Sequence, residues 1–310
     1  MTVNLPAGHL ERSAPTSGRR RMSFTSHTGA ILALVAPFLI LLTLFYLVPI
    51  GYALVQSFFK LERSSAFGSP REVFAGFEQY VHVLENAAFW GSLGRVGVLL
   101  VTMVPVMILL GLLFALLIDS TLVKGRRFFR LAFFAPYAVP GVIAAIMWGF
   151  FYAPTLSPLP GVAESLNLLD SRGIMIALAN IIVWTVSGFN MLIMYSALQA
   201  VPQELYEAAR MDGAGNVRIA VLVKVPLIMP SIIMTGVLSI IGTLQLFNEP
   251  TVLKTLSKAV GLDFTPNMLV FNTASIPNYN LAAATSVVLA LLTAALSFVF
   301  LRITQKRAFE

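Results

Sequence analysis

Six apolar runs constrain this chain more than any other feature, at about residues 29–59, 93–118, 131–152, 174–199, 226–247 and 281–303. A helix needs about 20 apolar residues to cross the hydrocarbon of a bilayer, and each run meets that length. In lipid every backbone N–H and C=O must find a partner within the protein, so only helices and closed barrels span it. Continuous rather than alternating apolarity reads as helix. The chain is therefore read as an all-α membrane protein with six transmembrane helices. Residues 1–28 form a polar tail, 29–303 the transmembrane domain and 304–310 a short second tail. Only 11% of the residues are charged, against about 25% in soluble domains.

The first run rivals a secretory signal, but a signal's apolar core has only about 7–15 residues. Arg19, Arg20 and Arg21 precede the run, and Met22 and Ser23 do not complete a twin-arginine pattern. The run therefore reads as an uncleaved first span, tilted or extended past the membrane and bent at Pro49. The chain has no cysteine, which excludes disulfides and thiolate chemistry. Of its three histidines, His9 and His27 lie in the polar tail and His82 stands apart, so no metal site is expected.

Charge sets the orientation. With the N-terminus inside, 14 of the 21 lysines and arginines flank the spans on the cytoplasmic side and seven lie outside. That asymmetry fits the positive-inside rule and places both termini in the cytoplasm. The basic residues flank helices and form no stripe, which argues against nucleic acid as a partner.

One polar stretch on the cytoplasmic side, Glu207 to Pro230, does not read as a slack linker. Pro202 opens a short helix, with Glu204 and Glu207 in its first turns where the macrodipole favours acids. Leu205, Tyr206, Ala208, Ala209 and Met211 give it an apolar stripe. Gly213 and Gly215 allow the chain to turn. Asp212 is placed to cap a second helix, whose pattern runs from near Val217 toward Pro226. Two short helices at an angle make a rigid knob, and an exposed apolar face on such a knob calls for a partner.

Catalytic patterns are missing. There is no G-x-x-x-x-G-K-[ST] to cradle ATP phosphates, and no nucleophile elbow, zinc-protease pair or carboxylate dyad, so no enzyme is expected. Asp119 and Glu249 sit at span ends and read as structural; intramembrane acids point to function when deep. Two polar-aromatic clusters stand out: Trp184, Ser187, Phe189 and Asn190 in the fourth span, and Gln245, Phe247, Asn248 and Glu249 at the outer part of the fifth. Carboxamides and carboxylates meet sugar hydroxyls and aromatic rings stack on sugar faces. Hydrogen bonding between helices accounts for the same residues equally well.

The pattern E-A-A-x-x-D-G-A at Glu207–Ala214, with P-L-I-M-P eleven residues further on, resembles the cytoplasmic coupling loop of ABC importer permeases. The K-G-x-x-F-F-R turn at Lys124–Arg130, the Pro136–Pro140 pair, Trp148, and Phe74–Tyr80 with Phe89 and Trp90 resemble the carbohydrate branch of type I importers, the maltose and glycerol-3-phosphate type. The resemblance implies a type I permease fold with cytoplasmic coupling helices, in the cell membrane of a prokaryote. It implies that Tyr206, Glu207, Ala208, Ala209, Met211, Asp212, Gly213 and Ala214 dock on an ATPase. Val217 and Ala220 stand where the family often has large aromatics, which shifts weight to Tyr206 and Met211. The segments holding the two clusters resemble those that contact sugar in maltose-type permeases. Small residues at Ala282–Ser286 resemble the start of the family's last helix and allow close packing. The implied machine has a sister permease, an ATPase dimer that uses ATP and Mg, and an external sugar-binding protein; this chain itself binds no cofactor. Alternatives are a permease for glycerol-phosphate, amino acids or another small polar solute, or an ion-coupled carrier, which would need acids near the midplane.

Overall fold

The computed structural model describes residues 24–63, 69–120, 123–275 and 278–309. Most of the expected 1–28 tail lies outside the described residues. The chain divides into two units, residues 1–52 and 53–310. Five described helices are long and apolar enough to cross a bilayer, or six if one bent pair counts as a single span.

In the first unit, α1 (Phe24–Leu42) passes through a π turn, Thr43–Leu47, into α2 (Val48–Gln56). Proline lacks an N–H, and its ring crowds the carbonyl four residues back. Just before Pro49, where the sequence predicts a bend, the chain widens by one π turn, closed by the Val48 N–H on the Thr43 carbonyl. The same device recurs before Pro226. There the π turn Ala220–Lys224 is closed by the Val225 N–H on the Ala220 carbonyl.

The second unit takes in the last turn of α2 and continues with a small hairpin, β1 (Phe59–Arg63) against β2 (Pro70–Phe74), with Phe59 opposite Phe74. Lys60 pairs with Glu78 at 2.7 Å and ties the hairpin to α3 (Glu78–Glu85). Next comes α4 (Ala87–Asp119), which starts before the apolar run that announces it. The Asn86 side chain caps it, accepting from the Ala88 N–H at 2.9 Å. Its polar first turns lower the hydropathy without ending the helix. Ser92 donates back to the Phe89 carbonyl, and Arg95 donates to the Phe264 carbonyl at 2.9 Å. Phe89, read from sequence as part of an external segment, is fully buried against Val83 and Ala284.

The third span is broken. α5 (Arg126–Phe134) ends in a 3-10 turn, Ala135–Ala138, and α6 (Gly141–Tyr152) leaves at 93° to it. Pro136 stands in that turn and Pro140 at the N-cap of α6, so neither removes a hydrogen bond the helices need. The span expected over 131–152 is thus two helices with a corner, and its first helix starts at Arg126. After the short α7 (Pro160–Leu166), α8 (Ile174–Gln199) packs along α4. Three buried layers involve these helices: Ile174–Leu178 at one end, Val96–Met107 with Ile182 in the middle, and Ala115, Ile118, Met191 and Met194 at the other. Small residues set the spacing, since lipid supplies no hydrophobic drive for helices to associate. A Cβ on Gly111 would lie 2.8 Å from the Asn190 Cβ, and one on Gly188 would collide with the Phe133 carbonyl.

Past α8 come α9 (Gln203–Met211), α10 (Asn216–Ile219) and α11 (Val225–Leu227). The fifth span is broken as well. α12 (Met229–Leu244) stops, Gln245–Phe247 are non-helical, and α13 (Asn248–Leu253) resumes. Pro250 cannot donate to the Leu246 carbonyl, which accepts from the Thr265 hydroxyl at 2.8 Å instead. α14 (Pro266–Ser275) and α15 (Tyr279–Phe309) complete the chain, so the described helix passes through most of the segment expected as a tail.

Candidate functional site

The two proline-containing breaks meet beside α8, with α13 packed directly on α6. A cavity of 380 Å³ lies beside them, lined by Tyr137 from the first break, Phe189 and Asn190 from α8, Ser239, Gly242 and Thr243 from α12, and Gln245–Glu249 from the second break. Six of the eight residues picked from sequence as sugar contacts therefore come together: Phe189, Asn190, Gln245, Phe247, Asn248 and Glu249. Trp184 and Ser187 do not join them. They line a neighbouring cavity of 340 Å³ with Phe133, Asn180 and Gly188, and Trp184 meets Trp148 edge to face at 5.7 Å. Helical geometry explains the split. Trp184 and Ser187, three residues apart, share one face, while Phe189, five residues from Trp184 and two from Ser187, points well away from both.

Part of the polar lining of the cavity is tied into the helices. Asn190 is fully buried and donates from Nδ2 to the Ser239 hydroxyl at 3.2 Å. Its Oδ1 is buried and has no hydrogen-bond partner. A buried acceptor without a partner costs about 1–3 kcal/mol, so at a cavity wall it marks a place for a donor. The Thr243 hydroxyl donates to the Ser239 carbonyl at 2.7 Å. Phe189 stacks on Tyr137 with ring centroids 4.6 Å apart and 15° between planes. Glu249 folds over the first residue of α6: a Cβ on Gly141 would overlap the carboxylate where it now stands.

Sequence reasoning passed over Tyr137, Ser239 and Thr243. Tyr137 sits between Pro136 and Pro140, so the proline pair was the available signal. Ser239 and Thr243 stand at i and i+4 on an otherwise apolar helix, and that spacing was the signal for them.

The second region lies where α4 and α8 end. α9 turns at Gly213, whose φ of +79° is the left-handed region that favours glycine. Asp212 closes α9; Gly215 precedes α10, and no side chain caps that helix, so the capping expected of Asp212 is absent. The cause is spacing: Gly215, not Asp212, stands immediately before the first turn. Met211 is 89% exposed and Val217 79%, while Glu207, Ala208, Asp212 and Gly213 are exposed and Ala209 and Ala214 half-buried. Tyr206 breaks the pattern. Read from sequence as part of the docking stripe, it is 4% exposed, turned inward, with its ring 4.8 Å from the Lys224 ammonium. Burial, and then the nearby Asp119 carboxylate, push its phenol above the usual range.

Asp119 proves to be more than a span end. Its carboxylate pairs with Lys224 and accepts from Gln199 Nε2 at 2.8 Å, and both charged side chains are largely buried. One carboxylate thus joins the end of α4, the end of α8, and the segment leading to the fifth span. The knob rests on it through Tyr206.

Among known proteins, the model of the family of binding-protein-dependent transport system inner membrane components matches residues 88–307. The sulfoquinovosyl glycerol transport system permease protein SmoG of Agrobacterium fabrum is 30% identical over 283 residues, 88% of this chain and 90% of that one. The trehalose/maltose transport system permease protein MalF of Thermococcus litoralis is 28% identical over 280 residues, 88% of this chain and 93% of the relative. A chain in the crystal structure of a bacterial ABC transporter involved in the import of the acidic polysaccharide alginate shares the fold. Its TM-score is 0.75 at 18% identity, over 91% of this chain and 96% of that one.

Proposed function

The chain belongs to the family of binding-protein-dependent transport system inner membrane components, and on that premise we propose that it is the membrane-spanning permease subunit of an ATP-driven sugar importer. The observation that carries the substrate class is the cavity: a stacked aromatic pair beside Asn190, Gln245 and Asn248. Flat rings meet the apolar faces of a sugar and carboxamides meet its hydroxyls. An external binding protein delivers the sugar, a sister permease closes the other side of the path, and an ATPase dimer holds ATP and Mg on the cytoplasmic side. The N-terminus and the α9–α10 knob are cytoplasmic.

Within that machine the chain's own residues divide the work. Met211 and Val217 form the exposed apolar tip that the ATPase covers. Gly213 sets the angle of the tip, and Tyr206 fixes it to the span ends. Motion of the knob then reaches α4, α8 and the fifth span through packed side chains.

Substitutions in the cavity test the substrate class. Phe189→Ala and Asn248→Ala each lower sugar uptake into vesicles by about tenfold, the scale of one lost stacking contact or polar contact, while the ATPase still copurifies. Uptake at the unsubstituted rate in both would make the cavity a packing feature. Single cysteines test orientation and docking. One at Met211 reacts with a membrane-impermeant thiol reagent only from the cytoplasmic side and is shielded once the ATPase is bound. One at Ser69 reacts only from outside. Reversed labelling overturns the topology, and equal reactivity of Met211→Cys with and without ATPase overturns the docking.

A further inference from the structure

The cavity has a charge character that bears on which sugars can pass. Glu249 is the one ionisable carboxylate among the described residues that line it, and no lysine, arginine or histidine does so. The neighbouring cavity, reached by Trp184 and Ser187, carries no charged residue at all. Glu249 takes part in none of the described salt bridges, so no cation among the described residues pairs with it. It lies against Gly141, the first residue of α6. Gly141 leaves the carboxylate the space it occupies on the wall.

From this we infer that the cavity admits sugars that bear no acidic group and that Glu249 is the residue that turns acidic sugars away. The inference rests on the sugar-importer reading and narrows it. A uronate, sulfonate or phosphate in a cavity of 380 Å³ stands within a few ångströms of that carboxylate. Charges at that separation repel strongly where low-dielectric walls replace water. An acidic sugar also needs a partner for its own charge, and among the described lining residues the cavity offers only neutral donors. Hydroxyls, by contrast, find Gln245, Asn248 and Glu249 itself as hydrogen-bonding groups.

The test reads the electrostatic potential directly and needs no knowledge of the natural sugar. Gly242 lines the cavity, and a Cβ there meets nothing within 4 Å, so Gly242→Cys places a single thiol on the wall of a chain without other cysteines. In the purified complex with its sister permease and ATPase, this thiol is labelled with two methanethiosulfonate reagents. One carries a trimethylammonium group and the other a sulfonate, the second standing in for an acidic sugar. The ratio of cationic to anionic labelling rates is compared with the ratio for free cysteine in the same buffer. We expect the cavity ratio to exceed the free one by about tenfold or more. Adding Glu249→Gln should return it most of the way. A ratio equal to that of free cysteine in Gly242→Cys alone overturns the inference, whatever the folding of the double variant. So does an elevated ratio that Glu249→Gln leaves unchanged. Neither result touches the sugar reading, which stands or falls on the uptake measurements with Phe189→Ala and Asn248→Ala.

Discussion

Lys224→Met leaves the Asp119 carboxylate buried without its cation, and the expected result is a complex that loses both stability and transport. Removing one partner of a buried ion pair costs about 3–5 kcal/mol, because the remaining charge keeps its desolvation penalty and loses what offset it. Here the cost falls on a joint. Asp119 ends α4, Gln199 ends α8 and donates to it, and Lys224 leads into the fifth span while its ammonium rests on the Tyr206 ring. Loosening that joint frees the knob from the membrane helices it is meant to move. Thermal unfolding of the purified complex should shift down and uptake should fall by about tenfold or more. The double variant Asp119→Asn, Lys224→Met removes both charges at once and should recover most of the melting temperature, since a buried pair replaced together is often close to neutral. Equal losses in the single and double variants would mean that the two side chains contribute shape and not charge.

Gly188→Leu should abolish the folded complex, and Gly188→Ala should sit at the upper end of the about 1–3 kcal/mol that overpacking costs. The obstacle is backbone. A Cβ at Gly188 runs into the Phe133 carbonyl at the end of α5, and a carbonyl within a helix cannot rotate aside as a side chain can. The contact is where the bent third span meets α8, so moving it also displaces Tyr137 from Phe189. Gly242→Ala is the matching control: its Cβ faces open space, and the melting temperature should not move. Yield of monodisperse complex and its unfolding temperature decide the matter. A wild-type melting temperature for Gly188→Ala would falsify the close approach of α5 to α8.

Much of this molecule was determined by its sequence alone. Apolar runs of bilayer length specify membrane helices because lipid leaves the backbone no other way to satisfy its polar groups. The Glu207–Ala214 pattern specifies the knob because a helix start, a stripe and a turning glycine are local properties, and Gly213 takes the positive φ that the turn requires. Phe189, Asn190 and the Gln245–Glu249 run were legible because aromatic and carboxamide groups in a membrane span are unusual enough to be noticed one residue at a time.

What the sequence could not determine is which way side chains face once helices bend and pack. Pro136, Pro140 and Pro250 announce breaks, but the 93° corner and the cavity beside it depend on α6 and α13 packing on each other next to α8. Tyr206 looks like docking surface by its place in the stripe and is buried by a lysine eighteen positions further on. Asp119 looks like a span end and is paired across 105 residues. Burial and charge pairing at such separations come from the packing of distant helices, and no local pattern encodes them, so the joint between knob and spans and the lone carboxylate on the cavity wall belong to the tertiary structure.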